Sequence, residues 1–81
     1  MRKQYELGQS LRVKKSFRIY DSETKESVDV PVGMMFVITD KEDYPETECT
    51  FYCLESESFG YQVQLWNDKD YEHVDWWFEE V

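Results

Sequence analysis

LRVKKSFRIY, Leu11 to Tyr20, sets apolar Leu11, Val13, Phe17 and Ile19 in alternation with polar Arg12, Lys14, Ser16 and Arg18. Successive side chains of an extended chain point to opposite faces, so this period of two predicts a half-buried β-strand. Lys15 interrupts the apolar face, and a bulge or a strand end is expected beside it. The polar face of this strand is basic along its length.

The neighbouring segments extend the pattern. Asp21 to Ser27 (DSETKES) is too hydrophilic for burial and is read as a turn or loop. Val28, Val30 and Val32 alternate with Asp29 and Pro31. Proline has no amide hydrogen for a central ladder, so this piece belongs at an edge or leads into a strand. Gly33 then permits a turn. Met34 to Thr39 (MMFVIT) is a continuous apolar run and is expected to be the most buried strand, followed by an acidic loop over Asp40 to Glu48. Thr50 to Leu54 and Tyr61 to Trp66 read as strands joined by a hairpin connection, Glu55 to Gly60. Asn67 or Asp68 is placed to cap a short helical turn, because either side chain accepts from amides two or three residues on. After it Tyr71, Val74, Trp77 or Phe78, and Val81 fall at helical spacing, with a short strand over His73 to Phe78 as the alternative. The expected core is Leu11, Val13, Phe17, Ile19, Phe36, Ile38, Phe51, Val63 and Leu65. Residues 1–10 are read as a flexible or helical extension.

Short strands, turn signals between them and no long helix predict an all-β fold, a small closed or nearly closed barrel. The order of strand, polar loop, strand pair, hairpin and terminal one-turn element looks like an SH3-like barrel of about five antiparallel strands with a short C-terminal helical turn. VPVGMMFVITDKE (Val30 to Glu42), followed by the late WWFEEV (Trp76 to Val81), resembles small SH3-like-barrel proteins of phages and prophages of Gram-positive bacteria. The resemblance runs from Leu11 onward. It implies a protein that acts on a component of the host cytoplasm.

Size and composition bound the rest. Eighty-one residues make one domain, residues 1–81, with a single small core. A 41% hydrophobic and 17% aromatic content is too high for a disordered chain, although a third of the residues are charged. No apolar stretch has the length of a membrane span or of a signal peptide's hydrophobic region, so a cytoplasmic location is expected. Cys49 and Cys53, four apart in a strand, share a face about 13 Å apart at roughly 3.3 Å per residue. A disulfide needs Cα atoms within about 7 Å, so both are expected as free thiols in a reducing compartment.

The residues that catalysis or cofactor binding would require are absent or isolated. His73 is the single histidine, and nothing near it in sequence offers a nucleophile. No cluster has zinc-ligand spacing. Asp68, Asp70 and Glu72 alternate as in a calcium loop, but the required glycine is missing. Gly8, Gly33 and Gly60 are too dispersed for a phosphate-binding loop. The expectation is a protein that is not an enzyme and takes no cofactor and no metal.

Charge is sorted along the chain. Residues 1–20 carry six basic side chains against Glu6, whereas residues 40–81 carry thirteen acids against Lys41 and Lys69. Ten of the fourteen aromatic residues lie in that acidic part. A globule of this length has a radius of gyration of about 12 Å. A duplex of the matching length, about 30 Å, carries on the order of eighteen phosphates, half on one side. The acidic part thus has the charge of one face of DNA, and it suits a basic partner or the nucleic-acid cleft of another protein.

The candidate partner-binding acids are Glu42, Asp43, Glu46, Glu48, Glu55, Glu57, Asp68, Asp70, Asp75, Glu79 and Glu80. The candidate anchors are the exposed members of Tyr44, Tyr52, Phe59, Tyr61, Trp66, Tyr71 and Trp76, because aromatic residues carry most hot-spot energy. The leading reading is a phage-type inhibitor of a host nucleic-acid-processing or defence protein, of the anti-CRISPR or anti-restriction kind. The alternative is an SH3-like adaptor or phage structural component that can form a homo-oligomer. A third reading, direct nucleic-acid binding through the basic strand 12–18, is disfavoured by the net charge of −9. The expected far-UV circular dichroism spectrum is strand-dominated, and alkylation of the unfolded chain without reductant should modify both thiols. A helical spectrum or a blocked thiol pair would refute this reading.

Overall fold

The computed structural model describes residues 4–21, 23–57 and 59–81, and the side chains of Asp21, Phe59 and Tyr61 lie outside that description. Leu11 and Val13 are fully buried, and the strand they define, β1 (Ser10–Val13), sits inside the main sheet. On one side it pairs antiparallel with β4 (Met35–Tyr44), Leu11 opposite Phe36. On the other it pairs with β7 (Phe78–Glu80), Val13 opposite Phe78. Beyond β4 come β5 (Cys49–Ser56) and β6 (Phe59–Asn67), so the spatial order is β6-β5-β4-β1-β7. β2 (Phe17–Asp21) and β3 (Glu26–Val30) form a separate hairpin inserted between β1 and β4, and α1 (His73–Trp77) bridges β6 to β7. This curled antiparallel five-stranded sheet is a half-barrel with one short helix, the small all-β barrel class that the strands and turn signals predicted.

The inner face is closed by rings. Phe78 meets Phe36 at 5.4 Å and Phe17 at 5.9 Å between centroids, both edge-on. Edge-to-face contacts of this kind add to the gain from simple burial. Tyr52 and Tyr5 pack edge-on at 5.8 Å, and the Tyr52 hydroxyl accepts the Tyr5 backbone N–H at 3.0 Å. The extension expected over residues 1–10 is therefore partly structural: residues 4–9 form neither helix nor strand, but Tyr5 is in the core and Ser10 opens β1. Residues 1–3 lie outside the described residues.

Several sequence expectations need correction. In β5 the inward residues are Thr50, Tyr52 and Leu54, each fully buried. Phe51, expected in the core, points outward and is half-exposed, while Tyr52, expected among the surface anchors, is buried. Phe17, Ile19 and Leu65 are partly buried and pack against the core's flank. Met34 to Thr39 is not buried on both faces: Phe36 and Ile38 turn in, while Met35 and Val37 are exposed. The acidic loop is short, because residues 40–44 continue β4 and only residues 45–48 turn. The Glu55–Gly60 connection likewise shrinks, since β5 runs to Ser56 and β6 begins at Phe59. The break at Lys15 is a bend between β1 and β2. Of the two alternatives for the C-terminal segment the helical turn holds, over His73–Trp77, whereas the strand expected over His73 to Phe78 does not form and β7 begins only at Phe78.

One irregularity sets what faces outward. Ile38 pairs with Leu54 but Asp40 pairs with Cys53, so Thr39 is an extra residue on β4. Such a bulge reverses the alternation beyond it. Lys41 and Asp43 then share a face with inward Tyr52 and Thr50, while Glu42 and Tyr44 turn outward with Phe51 and Cys49. Tyr52→Ala should cost about 3–5 kcal/mol, the range for deleting a buried ring, and Phe51→Ala less than half as much. Urea unfolding followed by circular dichroism decides it; equal losses would contradict this register.

Candidate functional site

The outward face of β5 and β6 begins a continuous aromatic strip. Phe51 is opposite Trp66 across the strands, and their rings stack at 6.4 Å with planes 4° apart. The strip then leaves the sheet. His73 packs on Trp66 at 4.4 Å and on Tyr71 at 4.2 Å, and Tyr71 lies 6.4 Å from Trp76. Trp66, Tyr71 and Trp76 remain 39%, 48% and 47% exposed, so the strip is a surface and not a core margin. Folding alone gives no reason to leave such large rings in water side by side.

A polar framework aims these rings. Asp68 Oδ1 accepts the backbone N–H groups of Asp70 at 2.8 Å and Tyr71 at 2.6 Å, which folds residues 68–71 into a tight turn. The Asp68 N–H donates to the Tyr71 carbonyl at 2.8 Å. Asn67, fully buried at the end of β6, accepts the Val74 N–H on Oδ1 at 2.9 Å. That bond satisfies a first-turn amide of α1, which has no cap from the neighbouring Glu72 side chain. The Nδ2 of Asn67 is buried with no hydrogen-bond partner among the described residues. Nδ1 of His73 lies 3.1 Å from the Trp66 carbonyl, tying the ring to the strand.

The structure divides the sequence-derived site residues. Trp66, Asp70, Tyr71, Asp75 and Trp76 gather along the strip, and Glu42 joins them as the cross-strand neighbour of Phe51. Tyr44, two residues along the same face, hydrogen-bonds Glu42. That bond, then partial burial, raises the phenol's pKa above its ordinary value. Glu46 and Glu48 occupy the β4–β5 turn, and Glu48 reaches Lys69 at 3.8 Å. Asp68 belongs to the site as a positioning residue.

The other acids do not join. The Asp43 carboxylate accepts the Thr50 hydroxyl at 2.5 Å on the inward side. Glu55 and Glu57 lie toward the far end of the β5–β6 hairpin, beside Met35 and Val37. Phe59 begins β6 there, and its side chain, like that of Tyr61, lies outside the described residues. Glu79 pairs with Arg12 at 3.2 Å, and Glu80 accepts the Gln9 amide at 3.2 Å. Sequence reasoning missed Phe51 and His73 as members of the strip. The signal for Phe51 was present, since Thr50, Tyr52 and Leu54 form an alternating set that can fill the inner face.

The strip ends in an open cleft of about 570 Å³ between the Lys14–Lys15 bend and the segment from Lys69 to Trp76. Its walls mix lysines and carboxylates with Tyr71 and Trp76. Among the described residues no three His, Cys, Asp or Glu side chains converge as a metal site, and no helix is long and apolar enough to cross a membrane. Cys49 and Cys53 are free thiols. Burial first, then the charges of Asp40, Glu55 and Glu42, raise the Cys53 pKa above its ordinary value, which disfavours the reactive thiolate.

No known protein family, no characterised protein and no solved structure matches this chain.

Asn67→Ala removes the acceptor of a buried amide and should lower stability by about 1–3 kcal/mol. The Tyr71 and His73 ring resonances should broaden or shift in the same variant, measured by denaturation and proton NMR. An unchanged midpoint and spectrum would show that α1 holds the strip without Asn67.

Proposed function

We propose that this SH3-like barrel is a non-enzymatic protein-binding module whose contact surface is the aromatic strip from Phe51 to Trp76 with its rim of Glu42, Glu48, Asp70 and Asp75. The run Trp66–His73–Tyr71–Trp76, with its two tryptophans and tyrosine exposed around a half-buried His73, carries the reading, because rings on a rigid frame offer large contact area at low entropic cost. The acidic rim selects a basic partner and speeds encounter with it. The concrete form of the proposal is a phage-type inhibitor acting in the host cytoplasm on a nucleic-acid-processing or defence protein, of the anti-restriction or anti-CRISPR kind. The partner's basic cleft would take the strip in place of nucleic acid. The carboxylates along the strip are fewer than the acidic composition first implied, so the rings supply more of the binding energy than phosphate mimicry does.

A second reading has an observation of its own. Val32, Met35 and Val37 are exposed apolar residues, and Met35 and Val37 border a cleft of about 890 Å³ beside Glu55 and Glu57. That face suits an adaptor or a structural component that contacts further copies. Direct nucleic-acid binding by strand 12–18 is weakened because Arg12 holds Glu79 and Arg18 holds Asp29 at 2.7 Å.

Immobilised protein incubated with a Gram-positive host lysate should retain a basic nucleic-acid-processing protein. Retention should fall as salt rises, since the charges are screened over about 8–10 Å at 0.1–0.15 M salt. Trp66→Ala/Tyr71→Ala and Asp70→Lys/Asp75→Lys should each abolish capture, while reversal of Arg12, Lys14 and Arg18 should not. The opposite pattern would move the site to the basic strand, and salt-insensitive capture of virion proteins would favour the apolar face.

A further inference from the structure

Lys15 stands in an unusual place for a surface cation. Its Nζ lies 3.5 Å from the centre of the Trp76 ring, at the mouth of the cleft where the aromatic strip ends. The contact is built in by the backbone. The amides of Lys14 and Lys15 both donate to the Trp77 carbonyl, at 2.8 and 3.4 Å, which fastens the β1–β2 bend against the end of α1. An ammonium over an indole face is attracted by the ring quadrupole. Asp70, Glu72 and Asp75 line the same cleft as Lys14 and Lys69, so apart from Lys15 its carboxylates outnumber its ammonium groups, and Tyr71 forms a second aromatic wall.

We infer that the Trp76 face is a binding seat for a cationic side chain, arginine above all, carried by an extended basic segment of the partner, and that Lys15 is its internal occupant. This deepens the proposed protein-binding role and rests on it. A guanidinium is planar, more weakly hydrated than an ammonium and able to lie flat on an indole while donating sideways to carboxylates. It outcompetes Lys15 on the ring by geometry, whereas the tether gives Lys15 an advantage in effective concentration. In the free protein Lys15 covers the ring and gives up that place when the partner's cation arrives.

The test uses the full chain and a defined probe, the peptide acetyl-Gly-Arg-Gly-Arg-Gly-Arg-amide, with the all-lysine counterpart and inorganic tripolyphosphate beside it. Indole N–H resonances, assigned with Trp66→Phe and Trp76→Phe, report where each probe sits. The arginine peptide should shift the Trp76 signal more strongly than the lysine peptide. Lys15→Gln should tighten the arginine peptide about two- to fivefold, the factor corresponding to one exposed cation–π contact. Lys14→Gln, which makes the same charge change in the same cleft, should have a smaller effect. Equal effects of the two substitutions, no change, or weaker binding in Lys15→Gln would overturn the inference. So would a Trp76 signal that answers to tripolyphosphate and not to arginine, which would make the lysines an anion site. If the arginine peptide moves only the Trp66 signal, the seat is refuted while the strip stands as a binding surface. If no basic probe moves either indole, the proposed basic partner falls with it.

Discussion

Tyr52 faces inward, and the outer surface of the barrel follows from that. Its ring packs edge-on against Tyr5, and its hydroxyl takes the Tyr5 amide hydrogen. A strand can bury only alternate residues, so committing Tyr52 to the core sends Phe51 and Cys53 to the other face. Phe51 stacks on Trp66, Trp66 receives His73, and His73 receives Tyr71. The bulge at Thr39 then brings Glu42 and Tyr44 to the same side. A single buried phenol and one extra residue on β4 together decide that this chain has an aromatic outer strip with carboxylates beside it.

The sorting of charge along the chain does not survive folding as a sorting of charge in space. β1 is sandwiched between β4 and β7, so the basic first strand lies against the acidic C-terminal one and Arg12 meets Glu79. Arg18 finds Asp29 across the β2–β3 hairpin, and Lys69 finds Glu48. All three pairs are solvent-exposed and screened by water and salt, so they contribute little to stability. They also neutralise acids at the surface and leave the aromatic strip as the most distinctive region of a mixed exterior.

The fold class was legible because Leu11–Tyr20 and Tyr61–Trp66 alternate, although the first is split at Lys15 into β1 and β2, with Leu11, Val13 and Val63 in the core and Phe17, Ile19 and Leu65 on its flank. Thr50 to Leu54 defeated the same logic. Phe51 and Tyr52 are both large and adjacent, and hydropathy favours burying Phe51, whereas the inner face needed a ring able to accept the Tyr5 amide. MMFVIT misled in a related way: a continuous apolar run suggests the most buried strand, whereas Met35 and Val37 lie on an uncovered face. The cap expected at residue 67 or 68 is displaced: Glu72 holds the N-cap position, Asp68 accepts the amides two and three residues on in a turn before the helix, and Asn67 reaches the Val74 amide seven residues on. Which acids stand together depended on the bulge and on the β1–β7 pairing, and neither has a local signature.

The central place of β1 also divides the folding reaction. β4, β5 and β6 are joined by tight turns and pair as consecutive hairpins, which close quickly because little chain must be gathered. β1 closes the sheet at long range: its contact with β7 spans 67 residues at Arg12 and Glu79, and the Tyr5–Tyr52 contact just before the strand spans 47. Long-range contacts of this kind slow folding, because loop entropy is lost before the contact is made. Until β7 arrives, Leu11 and Val13 have only half of their sheet. The β4–β6 meander is the local part of the molecule, and the seam at β1 and β7 is the part held by long-range contacts.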